Sequence, residues 1–173
     1  MRSVLFMFFV PLIVLVSNRA FAQMQNNASS TRGVVGYMSV LLPVLSVDNK
    51  TTTTNFSKNT IICFPIGINA LYSDKFGFSF EITPTLKIND TSSKISNFLF
   101  DPGLMFRFKN GFTIIPRLAF ETSGRYGITQ VFNKIIKRTK LLNYFAATSI
   151  PFRLGNSSPS SVGLNVQFGF IFN

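Results

Sequence analysis

The chain has 173 residues, 46% hydrophobic and 13% charged, with 21 Phe, one Cys, no Trp and no His. Without His there is no Ser-His-Asp triad, no Cys-His dyad and no His-ligated metal, and one Cys leaves no intrachain disulfide framework and no Cys-rich metal or iron–sulfur site. The formal net charge of +11 raises nucleic acid as a partner, to be weighed against where the charges fall.

Residues 1–22 read as a secretory signal peptide. Arg2 is the positive n-region, Val4 to Val16 an apolar stretch interrupted by Pro11, Ser17-Asn18-Arg19 a polar break, and Ala20-Phe21-Ala22 an A-x-A cleavage site before Gln23. The apolar run is short for a bilayer span of about 20 residues, which disfavours an uncleaved anchor. No Cys follows it to carry a lipid. Cleavage removes Arg2 and Arg19 and no acid, so the mature charge is +9. Export weakens the nucleic-acid reading. Residues 23–32 are polar and small, a flexible lead-in. Residues 33–173 form the single remaining domain, with no solenoid repeat and no internal linker.

The first strand is expected at 34–46, followed by a polar connection over 47–59 that holds a Thr run. The second, 60–72, ends at Ser73-Asp74. The third, 75–88, shows the governing pattern: Phe76, Phe78, Phe80, Ile82, Pro84, Leu86 and Ile88 alternate with Gly77, Ser79, Glu81, Thr83, Thr85 and Lys87. Period two marks a strand with one apolar and one polar face. After 89–94, the fourth strand at 95–108 carries Phe98, Phe100, Leu104, Phe106 and Phe108. Asn110-Gly111 is a hairpin signal leading to the fifth, 111–122, with Phe112, Ile114, Leu118 and Phe120. The sixth, 125–136, is placed as a strand although it alternates poorly, with part of a long loop as the alternative. The turn Lys137-Arg138-Thr139-Lys140 leads to the seventh at 141–154. The connection Gly155 to Ser161 leads to the eighth, 162–172, with Val162, Leu164, Val166, Phe168, Phe170 and Phe172.

Seventeen Phe follow residue 22, and all except Phe145 have even numbers. The charges inside the alternating runs (Lys75, Glu81, Lys87, Asp101, Arg107, Arg117, Glu121 and Arg153) are all odd, and even-numbered ones such as Asp48, Lys50, Asp74, Asp90, Lys94 and Lys134 fall where turns and loops are expected. A helix of period 3.6 cannot produce this split. Two all-β architectures fit. In a soluble exported barrel or sandwich the even face turns inward, and a barrel would bind an apolar ligand in a Phe-lined interior. In an eight-stranded antiparallel transmembrane β-barrel, an up-and-down meander, the even face meets lipid and the odd face lines the lumen. The lipid-facing set would then be Phe76, Phe78, Phe80, Phe98, Phe100, Phe106, Phe108, Phe112, Phe120, Phe168 and Phe170. Strands of 11–14 residues favour the membrane reading over the usual globular length of about 5–6. So do the small polar residues of the odd face and the six acids of the whole chain. Pro43, Pro65, Pro84, Pro102, Pro116 and Pro151 inside the strands stand against any continuous ladder.

The last strand, with Val166, Phe168, Phe170 and Phe172, resembles the C-terminal strand of the small outer-membrane β-barrels of Gram-negative bacteria, of the OmpX and OmpA-barrel, porin-like type. Asn173 departs from the pattern by displacing the aromatic from the last position. The resemblance covers the mature chain as a pattern and implies the class. These four residues would be the signal read by the barrel-assembly machinery during insertion. A periplasmic N-terminus would put the connections near 47–59, 89–94, 123–124 and 155–161 outside.

Counting register across the Lys109-Asn110 turn pairs Gly103 with Arg117 and Asp101 with Ala119, and across 89–94 brings Glu81 near both Asp101 and Gly103. Glu81, Asp101 and Arg117 are therefore expected to meet at mid-depth, with Arg107, Glu121 and Arg153 as further members of a lumen ion network, because charges in a low-dielectric interior must pair. The network reads first as a plug that satisfies polarity, with the lining of a conducting or gated path as the alternative. A shared proton on Glu81 and Asp101 would suit a hydrolase, but a nearby Arg keeps both ionised. Cys63 reads as a buried inert thiol. Lys134, Lys137, Arg138 and Lys140 read as a solvated turn or as a contact with anionic headgroups or lipopolysaccharide phosphate. Asn55-Phe56-Ser57 and Asn89-Asp90-Thr91 match glycosylation acceptors. The expectation is a non-enzymatic outer-membrane protein, monomeric, with no cofactor, no metal and no nucleic acid. Its partners are outer-membrane lipid and lipopolysaccharide, and its role is envelope-structural or that of a narrow pore.

Overall fold

The computed structural model describes residues 33–56, 59–155 and 159–172. The expected signal peptide, the lead-in at 23–32 and Asn173 lie outside the described residues. Eleven strands make one antiparallel sheet: β1 (Gly33–Asp48), β2 (Thr52–Thr54), β3 (Thr60–Cys63), β4 (Ile66–Leu71), β5 (Phe76–Ile88), β6 (Ser93–Phe100), β7 (Gly103–Arg107), β8 (Phe112–Glu121), β9 (Tyr126–Arg138), β10 (Leu142–Leu154) and β11 (Ser161–Phe172). β11 pairs back onto β1 from Tyr37↔Ile171 to Asp48↔Ser161, so the sheet closes on itself. β3 with β4, and β6 with β7, are each two halves of one interrupted strand. β2 extends the hairpin at the far end of β1. The result is a barrel-like ring of eight strands, each bonded to its sequence neighbours. Closure leaves the ring without a free edge to recruit other chains.

Each expected strand has a counterpart in the ring. The segment that alternates poorly is a strand of 13 residues, β9, fully paired to β10 from Asn143↔Arg138 to Leu154↔Tyr126. It is not part of a long loop. Two long strands are broken where one was expected, at Phe64-Pro65 and at Asp101-Pro102. The 47–59 connection is partly ordered as β2.

The prolines explain the breaks, because they gather at three discontinuities. Phe64 N–H donates to Pro84 O at 3.0 Å. The absent N–H of Pro84 therefore faces the Phe64-Pro65 break, where no ladder bond is made. Leu118 N–H donates to Pro102 O at 2.8 Å, so Pro116, two residues away on the same edge of β8, turns its missing donor toward the Pro102 break. Pro43 sits at a register shift between β1 and β11, and Pro151 beside the unpaired stretch of β10–β11 between Ser149↔Asn165 and Phe152↔Val162. Proline is tolerated in a sheet where no ladder donor is required.

Every buried residue among those described has an odd number. The exposed large apolar side chains are even-numbered apart from Val47, Ile95 and Leu141. Val47 and Ile95 follow the register shifts at Pro43/Leu45 and Thr85/Leu86, where one extra residue exchanges the faces. Leu141 lies in a turn. The inside of the ring is thus polar and the outside is apolar. This corrects the reading of a Phe-lined interior: of the described Phe only Phe145, the odd one, is buried. Its ring meets that of Tyr37 edge-on, with centroids 6.3 Å apart. Of the eleven Phe expected on the outer face, Phe78, Phe80, Phe98, Phe100, Phe106, Phe108, Phe120 and Phe168 are exposed. Phe76, Phe112 and Phe170 are half-buried on the same face, against the rings of Phe78 and Phe106, of Phe108, and of Phe172.

Candidate functional site

The interior is built from side chains that alternate inward along each strand. At mid-depth Arg117, on β8, sets Nη1 2.6 Å from Glu81 Oε2 on β5 and 3.8 Å from Asp101 Oδ2. Its Nη2 donates to Tyr37 Oη and to Ser79 Oγ, each at 3.0 Å. Tyr37 Oη donates to Glu81 Oε2 at 2.7 Å, and Thr83 Oγ1 to Glu81 Oε1 at 3.1 Å. Glu81, Asp101 and Arg117 are 3%, 2% and 5% exposed, so the charges neutralise one another away from bulk solvent. A buried pair of this kind requires its remaining donors and acceptors to be satisfied, which Tyr37 and Thr83 do for Glu81, and Tyr37 and Ser79 for Nη2 of Arg117. Asp101 Oδ1 and Arg117 Nε have no hydrogen-bond partner. Alongside, Gln167 Nε2 donates to Ser39 Oγ at 2.7 Å.

Space for this layer comes from small residues opposite large ones. A Cβ on Gly67 would lie 2.5 Å from Tyr37 Cζ, and one on Gly103 2.5 Å from Arg117 Cγ. Gly103 is the registry partner of Arg117. Asp101 reaches the layer because its own N–H donates to Glu81 O at 2.9 Å, at the point where β6 gives way to β7.

The other expected members divide. Arg153 Nε stands 2.9 Å from Glu121 Oε1, and Arg153 Nη2 donates to Thr129 Oγ1 at 2.9 Å. Glu121 also accepts from Asn97 Nδ2 at 3.0 Å and Ser123 Oγ at 2.8 Å. This second pair lies toward the rim that carries the 89–92 and 122–125 connections. Arg107 joins neither group. It lies near the opposite rim, where its Nη1 donates to Ser73 O at 3.0 Å. Parity selects Arg107 as an inward residue but says nothing of depth. Composition and charge did not single out Tyr37, Ser79, Thr83, Ser39 or Gln167. All five share the odd parity, and Tyr37 is a large residue among small ones on that face, the signal by which it is detectable.

The mid-depth layer separates two cavities. One, of about 410 Å³, opens toward the long connections and is lined by Cys63, Thr85, Asn97, Glu121, Arg153 and Asn165, among others. The second, of about 180 Å³, opens toward the rim that holds Gly33 and Phe172, and the apolar side chains of Leu71, Met105, Ile115, Phe145 and Ile171 line much of it. Arg117, Val131 and Gln167 line both.

The two rims differ in charge. Around the short turns 72–75, 108–111 and 139–141 stand Lys75, Arg107, Lys109, Lys134, Lys137, Arg138 and Lys140, with Asp74 as the one acid among the described residues there. At the other rim Lys50, Lys87, Lys94 and Arg125 are interspersed with Asp48, Asp90 and Glu121. The basic cluster of 134–140 therefore lies at the same rim as both ends of the ring, away from the long connections.

No protein-family model matches this sequence, and no curated protein matches it. Among solved structures, the chain is similar to the solution NMR structure of the de novo designed TMB2.3, with a TM-score of 0.36 and 13% identity, over 80% of this chain and 94% of that one.

Proposed function

We propose that this chain is a non-enzymatic outer-membrane protein of a Gram-negative cell, an eight-stranded transmembrane β-barrel exported by a cleaved signal peptide. The observation that carries this reading is the inversion of burial: large apolar side chains cover the outside of a closed ring, while carboxylates and guanidinium groups occupy its inside. A water-exposed surface of that kind would be a very large apolar patch, whereas lipid is its natural solvent. Closure supports it too, since every backbone group in hydrocarbon must find a partner within the protein. The lipid-facing set is the even-numbered Phe side chains named above. Val166, Phe168, Phe170 and Phe172 form the strand offered to the assembly machinery, and the barrel acts as a monomer in outer-membrane lipid.

The role best supported is envelope-structural, with the lumen closed by the Tyr37–Glu81–Arg117–Asp101 layer. Eight strands leave an interior that side chains fill. The test has two stages. Folded protein is expected to need detergent for extraction and to migrate faster in gels before heating than after. Recovery as a soluble monomer without detergent rejects the reading. In planar bilayers the folded protein is expected to show no steady conductance. A stable open channel would assign it the narrow-pore role instead.

A further inference from the structure

We propose that the mouth of the smaller cavity, at the rim that holds both ends of the ring, is an anion site that takes a phosphate group. The charged side chains that line this cavity are Arg107, Arg117 and Arg138, and no carboxylate lines it. Arg117 is neutralised by Glu81 on the other side of the mid-depth layer. Arg107 and Arg138 form no ion pair among the described residues. They come from separate strands, β7 and β9, which flank β8. Lys134 Nζ donates to Asn110 O at 2.6 Å, and a Cβ on Gly111 would lie 3.2 Å from Arg138 Nη2. Two planar guanidinium groups at one mouth, on a rim that also carries Lys75, Lys109, Lys134, Lys137 and Lys140, suit an oxyanion that accepts paired N–H donors. Deeper in the same cavity Asn69 is 5% exposed and its Oδ1 has no hydrogen-bond partner. A ligand carrying a hydroxyl beside its phosphate, such as a phosphate monoester or a phosphoglycerol headgroup, satisfies both features. The opposite rim mixes acids with its cations and carries no such set.

The phosphate has two sources, a free small anion or the headgroup of an anionic phospholipid in the adjacent leaflet. Only the second rests on the membrane reading above. The experiment uses the full mature chain folded in a zwitterionic detergent, with the heat-dependent gel shift recorded on each sample. Calorimetric titration with inorganic phosphate is expected to give one saturable site. Arg138→Gln, an exposed position, and Arg107→Gln are expected to weaken it at least about tenfold, the loss of one charge-assisted contact. Lys50→Gln/Lys94→Gln at the other rim is expected to leave it unchanged. In a parallel arm, nanodiscs of phosphatidylglycerol are compared with phosphatidylcholine by retention of lipid after delipidation. Preference for phosphatidylglycerol that is lost in Arg138→Gln assigns the site to a headgroup, and phosphate binding without that preference assigns it to a free anion. Absence of both responses in protein that retains its gel shift overturns the proposal, and so does an equal loss in Lys50→Gln/Lys94→Gln. Loss of the gel shift in the unmutated chain counts against the membrane reading instead.

Discussion

Arg117 and Glu81 meet at 2.6 Å although their strands are not hydrogen-bonded neighbours: β6 and β7 run between β8 and β5. The contact reaches over the intervening strand on the inner face of the ring. It ties together strands whose ladder is interrupted nearby, at Asp101-Pro102 and Phe64-Pro65.

Removing one partner should therefore cost much more than removing every charge in the layer. Arg117→Met leaves Glu81 and Asp101 buried without a cation and is expected to destabilise the folded state by about 3–5 kcal/mol, whereas Glu81→Gln/Asp101→Asn/Arg117→Met, which leaves no charge in the layer, is expected to lie within about 1–2 kcal/mol of the unmutated protein. Urea unfolding in lipid vesicles, set out as a mutant cycle, measures both. Equal costs for the single and triple variants would contradict a buried ion cluster.

Gly67 gives up its side chain to the ring of Tyr37. Gly67→Val places carbon where Tyr37 Cζ and Oη lie and is expected to cost about 1–3 kcal/mol by overpacking. Gly33, with open space around its Cβ direction, is the control, and Gly33→Val is expected to leave the unfolding midpoint unchanged.

Depth should decide what the outer face tolerates. Phe80→Arg, beside the mid-depth layer, is expected to destabilise by about 2–4 kcal/mol in lipid, and Phe108→Arg, at the 108–111 turn, by about 0–1 kcal/mol. Both are exposed to a similar extent, at 42% and 51%. A water-facing sheet would treat them alike, so equal costs would speak against hydrocarbon on this face.

Cys63 is buried, with its Sγ 3.6 Å from Thr85 Oγ1, inside the larger cavity. Bulky maleimides are expected to leave it unmodified in the folded protein and to label it fully in urea, by gel shift or mass spectrometry. Fast labelling of folded protein would mean that the cavity is wider than its geometry indicates.

The alternation of Phe with small and charged residues points, without any structure, to an all-β chain of long two-faced strands and places Glu81, Asp101, Arg117, Glu121 and Arg153 on one face, while 125–136, which alternates poorly, is settled as a strand only by its pairing with β10. Periodicity achieves this because side chains of a strand alternate whatever the sheet does next. It is silent on which face turns inward, since the pleat is symmetric in that respect. Only the closed ring decides this, by burying the odd face with its Ser, Thr and paired charges and leaving the Phe rows outside. Depth is legible only in part, by counting from the turns: Arg107 and Arg117 share a parity and a strand pair, yet Arg117 meets Glu81 while Arg107, the last residue of β7 before the 108–111 turn, lies near a rim. Tyr37 enters the layer from β1, 44 residues before Glu81, because register aligns it with Gly67 on β4 and Gly67 with Glu81 on β5, and the interrupted strand between them hides that count in the sequence. The prolines reverse the lesson: taken singly they oppose a ladder, and only the folded ring shows each set at a place where no donor is needed.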